Sequence, residues 1–132
     1  MTNSLYSQAI TDHYHNPRFK GSLDKPDIVG IMRNPSCGDM VIFTLKVANL
    51  HIREIRFEGV GCVMSQAVAS MLAQSAVEKS LEEISTFSHD TIVGLIGMNL
   101  GPVRMRCASL SLDALQKGIN DYAQSGKNHE RV

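Results

Sequence analysis

Net charge is the first thing missing from this chain: thirteen Lys and Arg balance thirteen Asp and Glu over 132 residues. No excess of either sign draws it to nucleic acid or to an anionic membrane surface. Long apolar runs are missing too, for no segment approaches the eighteen or so apolar residues of a membrane span. Met1–Ile10 is mixed and polar, without the apolar centre or cleavage site of a signal peptide. Cysteine is scarce, and three is an odd number that cannot pair wholly within one molecule. The expected setting is a reducing cytoplasm, where thiols serve metals or catalysis more often than crosslinks. Also missing are a glycine-rich phosphate loop, a Ser-His-Asp arrangement, an HExxH pattern and any His-x-x-x-His pair. The five histidines, His13, His15, His51, His89 and His129, therefore read as surface or capping residues, and the seven methionines as helical core filler.

What is present describes an ordinary globule. The apolar share of 43% is that of a folded protein. A chain of this length buries roughly two-thirds of the surface it exposes unfolded, so its core needs neither disulfide nor metal to hold together. With no repeat, low-complexity tract or linker, one domain over residues 1–132 is expected, with residues 124–132 a polar, frayed tail.

Periodicity places the elements. Leu5, Ile10 and Tyr14 predict a first helix, ended at Asn16-Pro17 because proline disfavours a helical residue before it. Arg18–Pro26 reads as an exposed loop. Ile28–Met32 is a plausible strand, and Val41, Phe43, Leu45 and Val47 alternate with Ile42, Thr44 and Lys46 in a clearer one. Ile52, Ile55 and Phe57 belong to a third, running to about Glu58, and the short connections make the pairing antiparallel. After Gly59-Val60-Gly61 the period turns helical, with Met64, Val68, Met71, Leu72 and Ala76 in one stripe. Ser80 and Glu83 predict a capping box on a short helix. Another short helix covers Asp90–Ile96 before Gly97, and a long one runs from Pro102 to Ala123 with Leu112, Leu115, Ile119 and Tyr122 inward. Strands first and helices after predict an α+β fold, helices on one face of a small antiparallel sheet.

The cysteines occupy similar places. Cys37 sits in the turn Asn34-Pro-Ser-Cys-Gly-Asp39, Cys62 follows Gly59-Val60-Gly61, and Cys107 lies in the first part of the last helix. A helix start favours an anion, here a thiolate, the form that attacks sulfur or binds metal. Separations of 25 and 45 residues match no zinc-finger or ferredoxin spacing, so any shared site is assembled by the fold. On spacing alone the three could equally be small buried hydrophobes. The glycines beside Cys37 and Cys62 shift the balance, since they leave sulfur unshielded. Asp39, two residues past Cys37, is either an ordinary turn aspartate or a fourth donor, completing three thiolates and a carboxylate for Zn²⁺. Such a centre carries about −2, which the neighbouring Arg106 would partly offset. From sequence alone, the first reading of Arg106 is a solvated helix residue.

At these residues the chain resembles the U-type iron–sulfur cluster assembly proteins, the family of IscU, SufU and the amino-terminal part of NifU. The resemblance rests on Asp12-His-Tyr-His-Asn-Pro-Arg18, Asn34-Pro-Ser-Cys-Gly-Asp39, Phe57-Glu-Gly-Val-Gly-Cys62 and Pro102-Val-Arg-Met-Arg-Cys107, in order, from Tyr6 to about Asp121. It implies a three-stranded antiparallel sheet with helices packed on it. It implies Cys37, Cys62 and Cys107 as the site cysteines and Asp39 as the site aspartate. It implies a cysteine desulfurase of SufS or IscS type as sulfur donor, a transient iron–sulfur cluster (a [2Fe–2S] species) or Zn²⁺ as occupant, and apo iron–sulfur proteins or carriers downstream. A scaffold is the first expectation. A SufU-like zinc-dependent sulfurtransferase that never holds a cluster is the second, and a structural zinc-binding interaction domain the third. Cys37 is the expected sulfur acceptor, since a turn swings out of a coordination sphere more easily than a helix start, and Cys107 is its rival. The IscU branch has histidine before the third cysteine where this chain has Arg106. It also has Leu-Pro-Pro-Val-Lys, used by a dedicated Hsp70 chaperone, where this chain has Leu100-Gly-Pro-Val-Arg104. The resemblance therefore does not carry that chaperone over. SufU proteins have a basic residue at the first of these positions, but they also carry an insertion between the second and third cysteines that the Cys62–Cys107 interval is too short to contain.

Overall fold

The structure is a computed structural model. It describes the backbone of residues 3–36, 38–97 and 100–130 and the side chains of residues 8–36, 38–97 and 100–124. Three strands, β1 (Ile28–Arg33), β2 (Met40–Ala48) and β3 (His51–Val60), form one antiparallel sheet in the order β1-β2-β3. Alternation decides which face is buried. Val41, Phe43 and Leu45 are wholly buried, and Gly30 pairs with Phe43, which pairs with Phe57. The two rings lie 6.2 Å apart, tilted at 47°. Each large side chain buried this way contributes about 1.5–3 kcal/mol. The odd step from Ile52 to Ile55 has a structural cause. The β2–β3 register shifts between Lys46 and Val47, and that irregularity changes the phase of β3 so that both isoleucines are fully buried.

Helices α2 (Val63–Ala76) and α5 (Pro102–Glu130) pack on the sheet, with α1 (Asn3–His15) against α2. The stripe expected on α2 is there, but Ser65, Gln66, Ala67, Ala69, Ser70 and Ala73 are buried as well. A helix buried nearly all round is a central element rather than a surface one. On α5, Leu112, Leu115 and Ile119 are buried and Tyr122 partly so. Gly30 and Gly118 let this helix approach β1 closely, for a Cβ on Gly30 would overlap the Ala114 carbonyl. Among the described residues no helix is long and apolar enough to cross a membrane.

Other expectations shift in detail. Helix α3 (Leu81–Ser85) opens on the expected reciprocal capping box of Ser80 and Glu83. Helix α4 begins at His89, one residue early, because Ser88 supplies the cap, and it ends at Gly97 with φ 91°. Helix α5 passes the expected end at Ala123 and reaches Glu130. Adding a residue to an existing helix costs far less than nucleating one, and only Gly126 in that stretch opposes it. The side chains of the tail, like that of Leu5, lie outside the described residues. Tyr14, one of the apolar residues that predict this helix, is exposed and stacks edge-on against His15. His13 takes the inward place at that turn instead.

The loop over residues 18–26 is less open than expected. Gly21 N–H donates to the Phe57 carbonyl and Phe57 N–H to that of Phe19, so this segment covers the outer edge of β3. Leu23 N–H donates to Thr44 Oγ1, which explains why Thr44 is buried on a polar position of β2.

Candidate metal centre

Three segments meet at one end of the sheet. The first is the turn between β1 and β2. Asn34 Oδ1 accepts from Ser36 N–H, the Asn34 carbonyl from Gly38 N–H, and the Asp39 carbonyl from Asn34 N–H. Gly38 takes a left-handed φ of 81° to close it. Cys37 lies outside the described residues. The framing bonds deliver Asp39 inward, and it is 4% exposed.

The second segment is the junction of β3 and α2. Gly61, at φ 138°, lies against the Asp39 carboxylate so closely that a Cβ would overlap it. Cys62 follows as the N-cap of α2, extended at φ −74° and ψ 164°, its side chain making no capping bond. Ser65 Oγ lies 3.8 Å from Cys62 Sγ and donates to the Cys62 carbonyl at 3.1 Å. The third segment is the first turns of α5, which bring a half-buried Cys107.

The donor atoms of Asp39, Cys62 and Cys107 all lie within 4.8 Å of one another, the one group of three or more such residues among those described. Zn–S bonds of about 2.3 Å put tetrahedral sulfurs about 3.8 Å apart, so contraction by about 1 Å closes the set on an ion. The Asp39 Oδ2 is buried without a hydrogen-bond partner. A buried carboxylate oxygen left unpaired costs free energy that a bound cation recovers. The donor set therefore fits a thiophilic metal: two thiols and one orphaned carboxylate oxygen on three elements, with the turn carrying Cys37 beside them. A cleft of about 620 Å³, lined by Arg33, Pro35, Gly38, Asp39 and Val60 among others, opens onto the turn. Arg106, next to Cys107 in sequence, is exposed, and its guanidinium has no partner among the described residues.

Two polar arrangements escape any reading of sequence spacing. Gln66 is buried, its Nε2 donating to Ser65 Oγ at 3.3 Å while Oε1 has no partner. His13 is half-buried rather than on the surface, Nδ1 2.8 Å from Ser70 Oγ, which also accepts from Arg18 N–H. Burial, followed by the nearby Arg18 charge, pushes the His13 pKa below the ordinary histidine value, and Asp12 opposes this weakly. The hydrogen bond from Arg18 holds the Asp12 carboxyl below its usual range.

The NifU-like N-terminal domain model matches residues 5–129. Among curated relatives, the iron–sulfur cluster assembly scaffold protein IscU 1 of Archaeoglobus fulgidus is 33% identical over 128 residues, 97% of this chain and 83% of the relative. The zinc-dependent sulfurtransferase SufU of Bacillus subtilis is 37% identical over 134, covering 89% of this chain and 90% of the relative. Since 89% of 132 is about 117 residues, that alignment of 134 positions sets about 17 against gaps in this chain. Among solved structures, a putative scaffold protein for the SUF system from Fervidobacterium islandicum superposes with a TM-score of 0.75 at 23% identity. It covers 90% of this chain and 99% of its own, and supports the fold. With nearly its whole length matched, the chain belongs to the NifU-like N-terminal domain family.

Proposed function

We propose that this chain is a scaffold of iron–sulfur cluster assembly, a single domain over residues 1–132. It receives persulfide sulfur from a cysteine desulfurase and holds the nascent cluster as cargo on Cys37, Cys62 and Cys107. Asp39 is the fourth, oxygen, ligand. The observation that carries the reading is the convergence of Asp39, Cys62 and Cys107 donors within 4.8 Å around a buried carboxylate oxygen with no partner.

The chemistry asked of the protein is thiol exchange. A thiolate of this chain attacks the outer sulfur of the desulfurase persulfide. The new S–S bond forms as the old one breaks, and the desulfurase thiolate leaves with the electron pair. Cys37 is our choice of acceptor, with Cys107 its rival, because it belongs to a connection between strands, which moves more easily than a helix start, and a cleft opens beside that connection. Cys62 is fixed at a helix start. Asp39 offers a hard oxygen among soft sulfurs, a weaker bond through which the cargo leaves to an apo acceptor.

Anaerobic reconstitution with ferrous iron, cysteine, a desulfurase and a thiol reductant, which brings persulfide sulfur to the sulfide level, tests this. The scaffold reading predicts a visible chromophore that transfers to apo-ferredoxin. The zinc-dependent sulfurtransferase is the second reading, favoured by Arg106 and by a donor set that closes tetrahedrally on zinc. It predicts retained zinc, faster desulfurase turnover and no chromophore.

A further inference from the structure

The Ser65 hydroxyl is wholly buried and surrounded by partners. It accepts from Gln66 Nε2 at 3.3 Å and from the Cys62 thiol at 3.8 Å, and donates its one proton to the Cys62 carbonyl at 3.1 Å. That carbonyl also accepts from Gln66 N–H at 3.3 Å, so it keeps a partner if the hydroxyl turns away. A sulfur bound to metal has no proton to donate, and its lone pairs then want donors. The hydroxyl therefore has two alternative acceptors on one residue, the Cys62 carbonyl and the Cys62 sulfur.

Behind it runs a second bond. Ser111 Oγ–H donates to the Ser65 carbonyl at 3.0 Å across the α2–α5 contact, and both serines are fully buried. Ser111 stands four residues after Cys107, on the same face of α5. One interhelical hydrogen bond thus ties the residue beside one candidate sulfur ligand to the turn beyond the other. Across a buried helix contact such a bond fixes register, because sliding the helices would leave both groups buried and unpaired.

Resting on the metal-centre reading above, we propose that Ser65 and Ser111 are positioning residues of the centre. Ser65 swings its hydroxyl from the Cys62 carbonyl to Cys62 Sγ when that sulfur is bound, and Ser111 sets the Cys62–Cys107 separation.

The test uses cobalt(II) alone, added anaerobically to the metal-free full chain and to Ser65→Ala, Ser65→Thr and Ser111→Ala variants. The readouts are the sulfur-to-cobalt charge-transfer band, cobalt affinity and the thermal midpoint of the metal-free protein. Loss of a hydrogen bond to sulfur raises its lone pairs, so Ser65→Ala is expected to move the band to longer wavelength and weaken binding about tenfold. Ser65→Thr, which keeps a hydroxyl, retains the parental band. Ser111→Ala weakens binding by a similar factor at an unchanged band, and reads the second half of the proposal independently of whether Ser65→Ala folds well. A Ser65→Ala protein with the parental band and affinity, altered only in thermal midpoint, overturns the role of Ser65. Unchanged affinity in Ser111→Ala overturns that of Ser111. A parental protein with no sulfur-to-cobalt band overturns the metal-centre reading, and this proposal with it.

Discussion

At the turn end of the β2–β3 hairpin, the backbone groups that leave the ladder find partners. Ile52 N–H donates to the Lys79 carbonyl, Glu78 N–H to that of Ile52, and Leu81 N–H to that of Leu50, while Ser80 and Glu83 cap α3 reciprocally. At the opposite end, where β3 runs into α2, Asp39 Oδ2 and Gln66 Oε1 are buried with nothing to bond, and Gly61 holds a backbone conformation reserved for glycine. One end spends its polar groups on the fold. The other holds two of them unpaired beside the candidate metal ligands. Buried polar atoms are almost always paired; of the three orphans among the described residues, Arg18 Nη1 lies elsewhere, beside Asp12 and Ser70, and the other two lie at the end that carries the candidate ligands.

The contrast can be broken at several points. Gly61→Ala carries the largest expected effect. It forces a side chain into φ 138° and into the Asp39 carboxylate, costing about 1–3 kcal/mol of stability. Metal affinity should fall about 100-fold, at the upper end for groups that orient a ligand. A cobalt titration beside a urea melt measures both, and parental affinity would separate the glycine from the site. Asp39→Ala acts in the opposite sense. Removing a buried oxygen that has no partner should stabilise the metal-free protein by about 1–2 kcal/mol in urea. Bound metal or cluster should leave more slowly, the exchangeable oxygen being gone. Faster loss than in the parent would show that Asp39 is no labile ligand. Ser80→Ala, at the satisfied end, should cost about 1 kcal/mol as a lost cap and leave cobalt binding untouched.

The pH dependence gives a smaller, graded effect. His13 has a depressed pKa in the fold, so the unfolded chain binds its proton more readily. The stability this contributes is complete above the unfolded value of about 6.5 and is lost as pH falls from there through the folded value. Urea midpoints between pH 7 and pH 5 should therefore drop in the parent and drop less in His13→Gln. Equal slopes would show that the burial of His13 carries no proton linkage.

The same contrast explains what was legible in the sequence. The strands, the α2 stripe and the Ser80 capping box are local signals, repeating every two or three to four residues, and they stand in the structure as read. The residues alone leave Asp39 either a turn aspartate or a fourth donor, motif resemblance decides for the donor, and the fold brings it together with Cys62 and Cys107. Four contacts were invisible: His13 with Ser70, 57 residues apart; Ser111 with Ser65, 46 apart; the close pass of Gly30 and Gly118; and Gly61 against Asp39. The first three join residues whose neighbourhood exists only after the helices dock, and the fourth extends the β2–β3 register one step past Met40 and Val60; a serine or glycine carries no periodic mark of such a role. The phase break in β3 was present in the spacing of Ile52 and Ile55, and took meaning only once the register shift was seen.

X-ray absorption at the zinc edge of the protein loaded with one equivalent of zinc tests the central claim most directly. The account predicts a first shell of three sulfurs at about 2.3 Å and one oxygen at about 2.0 Å, from Cys37, Cys62, Cys107 and Asp39. A shell of light atoms alone, or the outer scattering of a bound imidazole, would contradict it.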